Sequence, residues 1–399
     1  MDILFIFPPQ WIPFQPHFAL PSLLGQFRNL GYNYSALDLE TKNKLTKFVM
    51  IHNFLKENGQ SLSKYPVLIS EAINVLRSKE HFYNPKLLID ALSIIEKSLE
   101  ICSLKYSPSK LSLSNYYNQN FEYNYESIKY YVDDKATNMF YPFLVKNLAA
   151  IKEKNADYIG ISINSSSQII AGLTLSKMLK ENTNAHVCIG GNYFGRLTES
   201  FYNHPDFFKI YADSLLVEEG EKPVLELAEY INKKRRIEDV SNLMYLKKGK
   251  VILNEKTPPM PLNEMQPVSL DGYDLKKYFT PDIIFPFQTS RGCYWHKCSF
   301  CDHDFGLHYN VKKIDKLIDE IKYIKSQYNI DKFEFIDEAI SPYYMKEMAQ
   351  KFIDNDLNVS YFCDGRLEAE FSEEILKKAH ESGLKMILWG LESGSKKVM

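Results

Sequence analysis

Gln288-Thr-Ser-Arg-Gly-Cys-Tyr-Trp-His-Lys-Cys-Ser-Phe-Cys-Asp302 packs three of the chain's six cysteines into nine residues, spaced Cys293-x4-Cys298-x2-Cys301. Three thiolates so spaced can ligate three irons of a cubane iron–sulfur cluster and leave the fourth iron open to a substrate or cofactor. The competing reading of the same residues is zinc, with the cysteines joined by His296 or His303 in a Cys3His set. The loop follows an apolar strand and precedes a helix, a setting unlike a zinc ribbon, and this favours the cluster. Gly292 lets the backbone turn as it leaves the strand. Tyr294, Trp295 and Phe300 offer apolar surface that can keep water from a cluster. The remaining cysteines, Cys102, Cys188 and Cys363, sit among apolar or aromatic neighbours and read as small core residues.

Working outward, 399 residues suffice for two domains with buried cores. The composition is that of an ordinary globular chain, with 45% hydrophobic and 25% charged residues. A net charge of −2 supplies no electrostatic reason to expect a nucleic-acid or anionic-membrane partner. No apolar run reaches the roughly 18 residues of a spanning helix. The apolar segment 1–7 begins with an acid and meets Pro8-Pro9 too early for a signal peptide. The expected compartment is therefore the cytoplasm, where thiols stay reduced and clustered cysteines mean metal before disulfide.

Strands alternate with helices on both sides of the cysteine loop. Residues 2–7 form a short apolar strand stopped by Pro8-Pro9, and 19–30 carry leucines at helical spacing up to Gly31. A second strand is expected at 34–39, then a helical insertion over about 42–152, interrupted by a Tyr/Asn/Ser-rich stretch at 106–125 that reads equally as loop, lid or disordered insert. Alternation resumes with strands at 158–163, 186–189 and 210–212 and helices at 169–180 and 223–231. Such alternation implies a parallel sheet with a ligand crevice beyond the carboxyl ends of its strands. Residues 236–280 read as a linker containing a hairpin and four prolines. A second run then gives strands at 283–288, 332–336, 359–363 and 386–389, with helices at 314–328, 344–354 and 373–382 between them. Ser372 is placed to N-cap the last helix and Gly383 to end it.

The cysteine loop and the strand ends that follow it resemble the radical S-adenosylmethionine (SAM) enzymes. Their usual spacing is Cys-x3-Cys-x2-Cys with an aromatic residue before the last cysteine. Phe300 matches that aromatic, while one extra residue separates Cys293 from Cys298. The resemblance implies a [4Fe-4S] cluster on Cys293, Cys298 and Cys301, with SAM on the open iron. Asp337 and Glu338, in Phe335-Ile-Asp-Glu338, would lie near the amino end of SAM; the alternative is an acidic strand end facing water. Arg366, in Asp364-Gly-Arg366, would meet the SAM carboxylate or the substrate, or else form a surface ion pair. Gly390-Leu-Glu-Ser-Gly-Ser395 matches the motif beside the SAM ribose, with Gly390 allowing close approach, Glu392 accepting from the hydroxyls and Ser393 next to it. An electron donor such as a flavodoxin or ferredoxin is implied as partner.

The region ahead of the linker resembles the cobalamin-binding domain often fused to such a core, on Phe7-Pro-Pro9, Gly160-Ile-Ser162, Gly190-Gly191 and Glu218-Glu-Gly-Glu221. Ser162, Gly190 and Gly191 would let the backbone approach the corrin and its nucleotide tail. No Asp-x-His-x-x-Gly is present, so a histidine lower ligand is not evident; the domain either takes cobalamin or keeps the fold without it. The expectation is thus an α/β chain: 1–235 a Rossmann-like, cobalamin-binding-type sheet, 236–280 a linker, and 281–399 a partial (β/α) radical SAM barrel. With only four strands before Met399 where the family has six, the core is expected to be incomplete and SAM cleavage by this chain alone weak or absent. Two activities remain: a cobalamin-dependent radical SAM transferase, or a non-catalytic metal- or cobalamin-binding protein. A tRNA methylthiotransferase is disfavoured, since there is no second cysteine triad and no basic excess.

Overall fold

The computed structural model describes residues 1–40, 65–195, 197–301, 309–395 and 397. The start of the expected insertion, 42–64, and His303 lie outside the described residues. The chain divides into two compact units, Met1–Pro259 with Val268–Pro281, and Met260–Pro267 with Asp282–Met399.

The first unit is built on seven strands: β1 (Asp2–Phe7), β2 (Asn33–Asp38), β3 (Tyr158–Ser162), β4 (His186–Gly190), β5 (Ser214–Leu216), β6 (Leu243–Lys247) and β7 (Lys250–Leu253). They lie in the order β2-β1-β3-β4-β5-β6-β7, parallel from β2 to β5 and antiparallel thereafter. β1 is apolar without alternation because both of its faces are covered. Leu4 and Ile6 join one core with Ile69, Ile95, Leu99 and Phe143 of the insertion, while Ile3, Phe5 and Phe7 join another with Leu24 and Leu227. The second core belongs to the helices Ala19–Gln26 and Glu221–Ile231.

The Tyr/Asn/Ser-rich stretch resolves into a short hairpin, Ser109–Leu111 against Tyr116–Asn118, followed by the helix Tyr125–Asp133. Its polar residues bond one another: Ser109 Oγ meets Tyr116 OH at 3.0 Å and accepts from Asn118 Nδ2 at 3.0 Å. Asn124 N-caps the helix, accepting from Ser127 N at 2.9 Å.

Two expectations change. The strand placed at 210–212 is the end of a helical turn, Phe207–Ile210, and the strand comes later at β5. Phe207, Phe208 and Tyr211 are buried at helical spacing among Phe194 and Phe201, so aromatic packing outweighs the local β-propensity. Nor is 236–280 a plain linker. Its hairpin, β6 and β7, extends the first sheet, because β6 gives β5 an antiparallel partner and covers an edge that would otherwise be open. Residues 268–281 also fold onto the first unit, with Tyr278 OH donating to Asp38 and Phe279 N to Pro13 O at 2.8 Å.

The second unit carries β8 (Ile284–Phe287), β9 (Lys332–Phe335), β10 (Ser360–Arg366) and β11 (Leu384–Gly390), all parallel and adjacent in chain order among the described residues. The helices Ile314–Tyr328, Pro342–Asp354 and Glu373–Glu381 make the crossovers. Parallel strands in sequential order, joined by helical crossovers, are the arrangement of a (β/α) barrel wall. Ser372 does cap the last helix, accepting from Ile375 N at 3.4 Å.

One residue tests the packing of the first sheet. Gly160 pairs in register with Phe5, and a Cβ there would lie 2.3 Å from the Phe5 ring, which is 2% exposed and wedged edge-on against Tyr158. Gly160→Ala is expected to destabilise the chain by about 1–3 kcal/mol in urea denaturation, since a buried ring has no room to move.

Candidate functional site

The cysteine loop leaves β8 at its carboxyl end and is closed at its base by a two-residue antiparallel ladder, Ser290 against Val311 and Arg291 against Asn310. The stem is buried and polar: Thr289, Ser290, Arg291, Lys312, Glu320 and Asp337 are each no more than 9% exposed. Lys312 Nζ bonds Glu320 Oε2 at 2.5 Å and lies 4.4 Å over the Phe287 ring. The loop turns through Gly292 with φ of +78°. Beyond that turn the chain opens to solvent: Cys293 and Cys298 are half-buried and Cys301 is exposed.

No cysteine is tied up in a disulfide, so the three loop thiols are available as ligands. Soft, accessible thiols presented from a single loop are the donor set that iron–sulfur clusters take. Among the described residues, no three His, Cys, Asp or Glu side chains converge on a point where one metal ion would sit. The donor chemistry fits a cluster. Cys188 and Cys363 are buried as expected of core residues, and burial pushes the Cys188 thiol up to about 12 and the Cys363 thiol higher.

Phe300 is 67% exposed. Trp295 is held from β10, with the Arg366 guanidinium 3.7 Å above its ring. Arg366 also pairs with Glu368, which accepts from Tyr294 OH at 2.8 Å. Arg366 is thus engaged with the aromatic part of the cysteine loop.

Asp337 and Glu338 are adjacent in sequence and opposite in setting. Glu338 is exposed beyond β9, whereas Asp337 is 3% exposed and turned toward the stem. The Asp337 carboxylate accepts from Thr289 N at 2.9 Å, from Thr289 Oγ1 at 2.8 Å and from Ser290 N. Its oxygens are therefore engaged by the chain's own stem. Gly390 and Glu392 are exposed at the end of β11, and Ser393, half-buried, accepts from Ser395 N at 3.0 Å.

At the carboxyl edge of the first sheet, the reversal of strand order between β1 and β3 marks a topological switch point, where open α/β sheets bind ligands. Ser162 ends β3, its hydroxyl accepting from Asn164 Nδ2 at 2.9 Å. Gly190 ends β4, and its carbonyl accepts from Ile163 N at 2.8 Å. Gly191 has φ of +107°, and a Cβ there would lie 2.3 Å from the Ile163 carbonyl oxygen. Glycine is thus demanded by the neighbouring backbone, independently of any ligand.

Sequence reasoning placed Asn164 and Gln168 in a polar run on this edge without giving them roles, and it missed His17. Asn164 and Gln168 join its loops, through Gln168 Oε1 accepting from Asn164 N at 2.9 Å, Gln168 Nε2 donating to Pro8 O at 2.7 Å, and Asn164 Oδ1 accepting from Asn192 N at 3.3 Å. Their signal was position, in the polar run directly after β3. His17 stacks on Phe7 with centroids 4.9 Å apart, and its Nδ1 accepts from Ala19 N at 3.2 Å. Burial lowers its pKa to about 4, so the ring is neutral near pH 7. Of Glu218-Glu-Gly-Glu221, Glu221 is buried and accepts from Ser22 Oγ at 3.2 Å, joining two helices of the unit.

With this geometry in view, likenesses to known proteins become informative. Over 259 residues the chain is 26% identical to an uncharacterized methyltransferase of Pyrococcus horikoshii, covering 62% of this chain and 54% of that protein. Over 290 residues it is 25% identical to cytidylyl-2-hydroxyethylphosphonate methyltransferase of Streptomyces wedmorensis, covering 62% and 52%. The chain spans about half the length of these curated relatives. Among solved structures it is similar to the cobalamin-dependent S-adenosylmethionine radical enzyme OxsB with aqua-cobalamin and S-adenosylmethionine bound. That TM-score is 0.61 at 13% identity, over 100% of this chain and 44% of OxsB. It is also similar to the radical S-adenosylmethionine methyltransferase TsrM of Kitasatospora setae with cobalamin and a [4Fe-4S] cluster bound, with a TM-score of 0.59 at 12% identity over 99% of this chain and 62% of TsrM. No family model matches. The chain has the fold of the cobalamin-dependent radical SAM enzymes. No described helix is long and apolar enough to cross a membrane.

The Asp337 setting predicts a pH signature. Burial raises its carboxyl from 3.8 to about 6, against the downward pull of the Ser290 and Thr289 hydrogen bonds. A folded-state value above the unfolded one means that the folded chain keeps a proton the unfolded chain releases. This contribution to stability is complete below pH 4 and lost as pH rises through 6. Between pH 4.5 and 7 the wild type is expected to lose about 2 kcal/mol relative to Asp337→Asn, read as the difference in urea unfolding free energy of the two full chains.

Proposed function

We propose that this chain is the cobalamin- and SAM-binding part of a radical SAM methyltransferase that acts on a small-molecule substrate. The observation that carries this reading is the pairing, in one chain, of two ligand-binding sheet edges. The first unit has a switch-point sheet of order 2-1-3-4-5 with polar loops at its carboxyl edge. The second has a barrel-type sheet whose first strand opens into three free thiols. OxsB and TsrM were solved with these cofactors bound, and the curated relatives are named as methyltransferases, which supports the same assignment here.

When bound, the [4Fe-4S] cluster supplies the electron that cleaves SAM, and cobalamin supplies a transferable methyl group. The chain's own residues hold, orient and shield. Cys293, Cys298 and Cys301 serve as the three thiolate ligands. Glu392, exposed beyond β11, is the acceptor for the ribose hydroxyls, with Gly390 leaving room for the sugar and Ser393 beside it. Glu338, exposed where its neighbour Asp337 is buried, would face the ammonium group of SAM. Trp295, clamped by Arg366, and Phe300 provide the apolar cover that limits water near the thiolates. Ser162, Gly190 and Gly191 border the first sheet's edge, where a planar macrocycle can rest on backbone. A flavodoxin- or ferredoxin-type donor would supply the electron, and the cytoplasm fits an oxygen-sensitive site.

Anaerobic purification followed by iron and sulfide loading tests this reading. About four irons and four sulfides per chain are expected, with a reduced-state electron paramagnetic resonance signal, and Cys293→Ala, Cys298→Ala or Cys301→Ala should each abolish stable loading. Stoichiometric zinc without sulfide in the purified chain would overturn it. Cobalamin binding is read separately, from the absorption spectrum after gel filtration with hydroxocobalamin.

A further inference from the structure

We propose that Asp337 is the positioning residue of the cysteine loop, fixing the ascending limb of its stem so that the thiols are presented to a cluster. This inference rests on the cluster reading above. The cysteine loop is held at its base by two ladder pairs, and so short a ladder is marginal by itself. The ascending limb is gripped by one carboxylate, through Thr289 N at 2.9 Å, Thr289 Oγ1 at 2.8 Å and Ser290 N. The same Thr289 accepts from Lys312 N at 2.8 Å through its carbonyl, which ties the descending limb to the residue Asp337 holds. The descending limb has its own braces. Asn263 accepts from Lys313 N at 2.7 Å and donates to Val311 O at 3.1 Å, and Tyr344 OH donates to Lys312 O at 2.8 Å. The ascending limb has Asp337, so the carboxylate is the brace for the side of the stem that leads to Cys293.

The chemistry of the grip explains its specificity. Two backbone N–H groups and a hydroxyl converge on it in a buried pocket, and removing the acceptor would leave both N–H groups without it. Asn preserves the grip. Both N–H groups meet Oδ1, which an amide retains, while the amide nitrogen can donate to Thr289 Oγ1 once that hydroxyl turns to accept. Ala removes everything, and Thr289→Val removes only the hydroxyl arm. Cys293 is three residues beyond Ser290, so the stem sets where the first thiol begins.

The test compares wild type, Asp337→Ala, Asp337→Asn and Thr289→Val as full chains by amide hydrogen exchange over 289–293 without metal. It also follows the rate at which a chelator strips iron from the loaded proteins. Asp337→Ala should exchange and release iron about tenfold faster or more, Thr289→Val severalfold faster, and Asp337→Asn close to wild type. The proposal is overturned if Asp337→Ala matches wild type in both, or if Asp337→Asn behaves like Asp337→Ala. If Asp337→Ala does not fold, Thr289→Val against Asp337→Asn decides on the same criteria. A wild type that takes up no iron defeats the cluster reading instead, and the exchange comparison still decides the positioning role.

Discussion

Parallel strands cannot be joined by hairpins, and from that constraint the rest of the molecule follows. Each pair needs a crossover, so every strand in a parallel run ends on the same edge and its polar connections collect there. In the first unit this gathers Ser162, Asn164, Gln168, Gly190 and Gly191 on one rim. In the second it gathers the cysteine loop, Glu338, Arg366 and the segment after Gly390. Residues more than a hundred positions apart become neighbours through topology alone. The two sheets differ in how their crossovers are used. Order 2-1-3-4-5 leaves a crevice at its reversal, whereas the sequential order of the second sheet has no reversal.

The sequence was most legible where burial is complete. β1 and β3 are apolar on both faces, and a helix such as Ile314–Tyr328 places its apolar residues at clear 3–4 spacing, so their positions could be read within a residue or two. Legibility failed where a segment's partner was distant. Nothing near 210–212 announces that Phe207 and Tyr211 will pack into an aromatic cluster, and nothing in the hairpin at 243–253 says it will add to a sheet begun at residue 2. Proline-rich composition suggested a linker because composition carries no information about edge pairing.

Site residues divide in the same way. The cysteines were found because three soft ligands in nine residues have few structural explanations. Asp337 and Glu338 could not be told apart in sequence, since both are acids at one strand end. One residue step rotates a side chain to the opposite face of a strand. That step sends Glu338 to solvent and Asp337 into the stem, where Thr289 and Ser290 reach it. Gly191 shows the converse. It was chosen for its room beside a ligand, and the Ile163 carbonyl already requires that room.

The cysteine loop combines a rigid base with an open end, and the contrast has an energetic reason. A cluster-binding loop must be ordered on binding, and the conformational entropy lost then is subtracted from affinity. Fixing Thr289, Ser290 and Lys312 in advance transfers much of that cost to folding, where buried hydrogen bonds offset it. The thiols themselves cannot be packed the same way. Three thiolates brought together without a cation repel one another, so a site that converged before the metal arrived would be electrostatically strained. A stem that is buried and satisfied beneath thiols left open to solvent avoids both penalties. Arg366 reaches this loop over the Trp295 ring, placing its positive charge on the aromatic part of the loop.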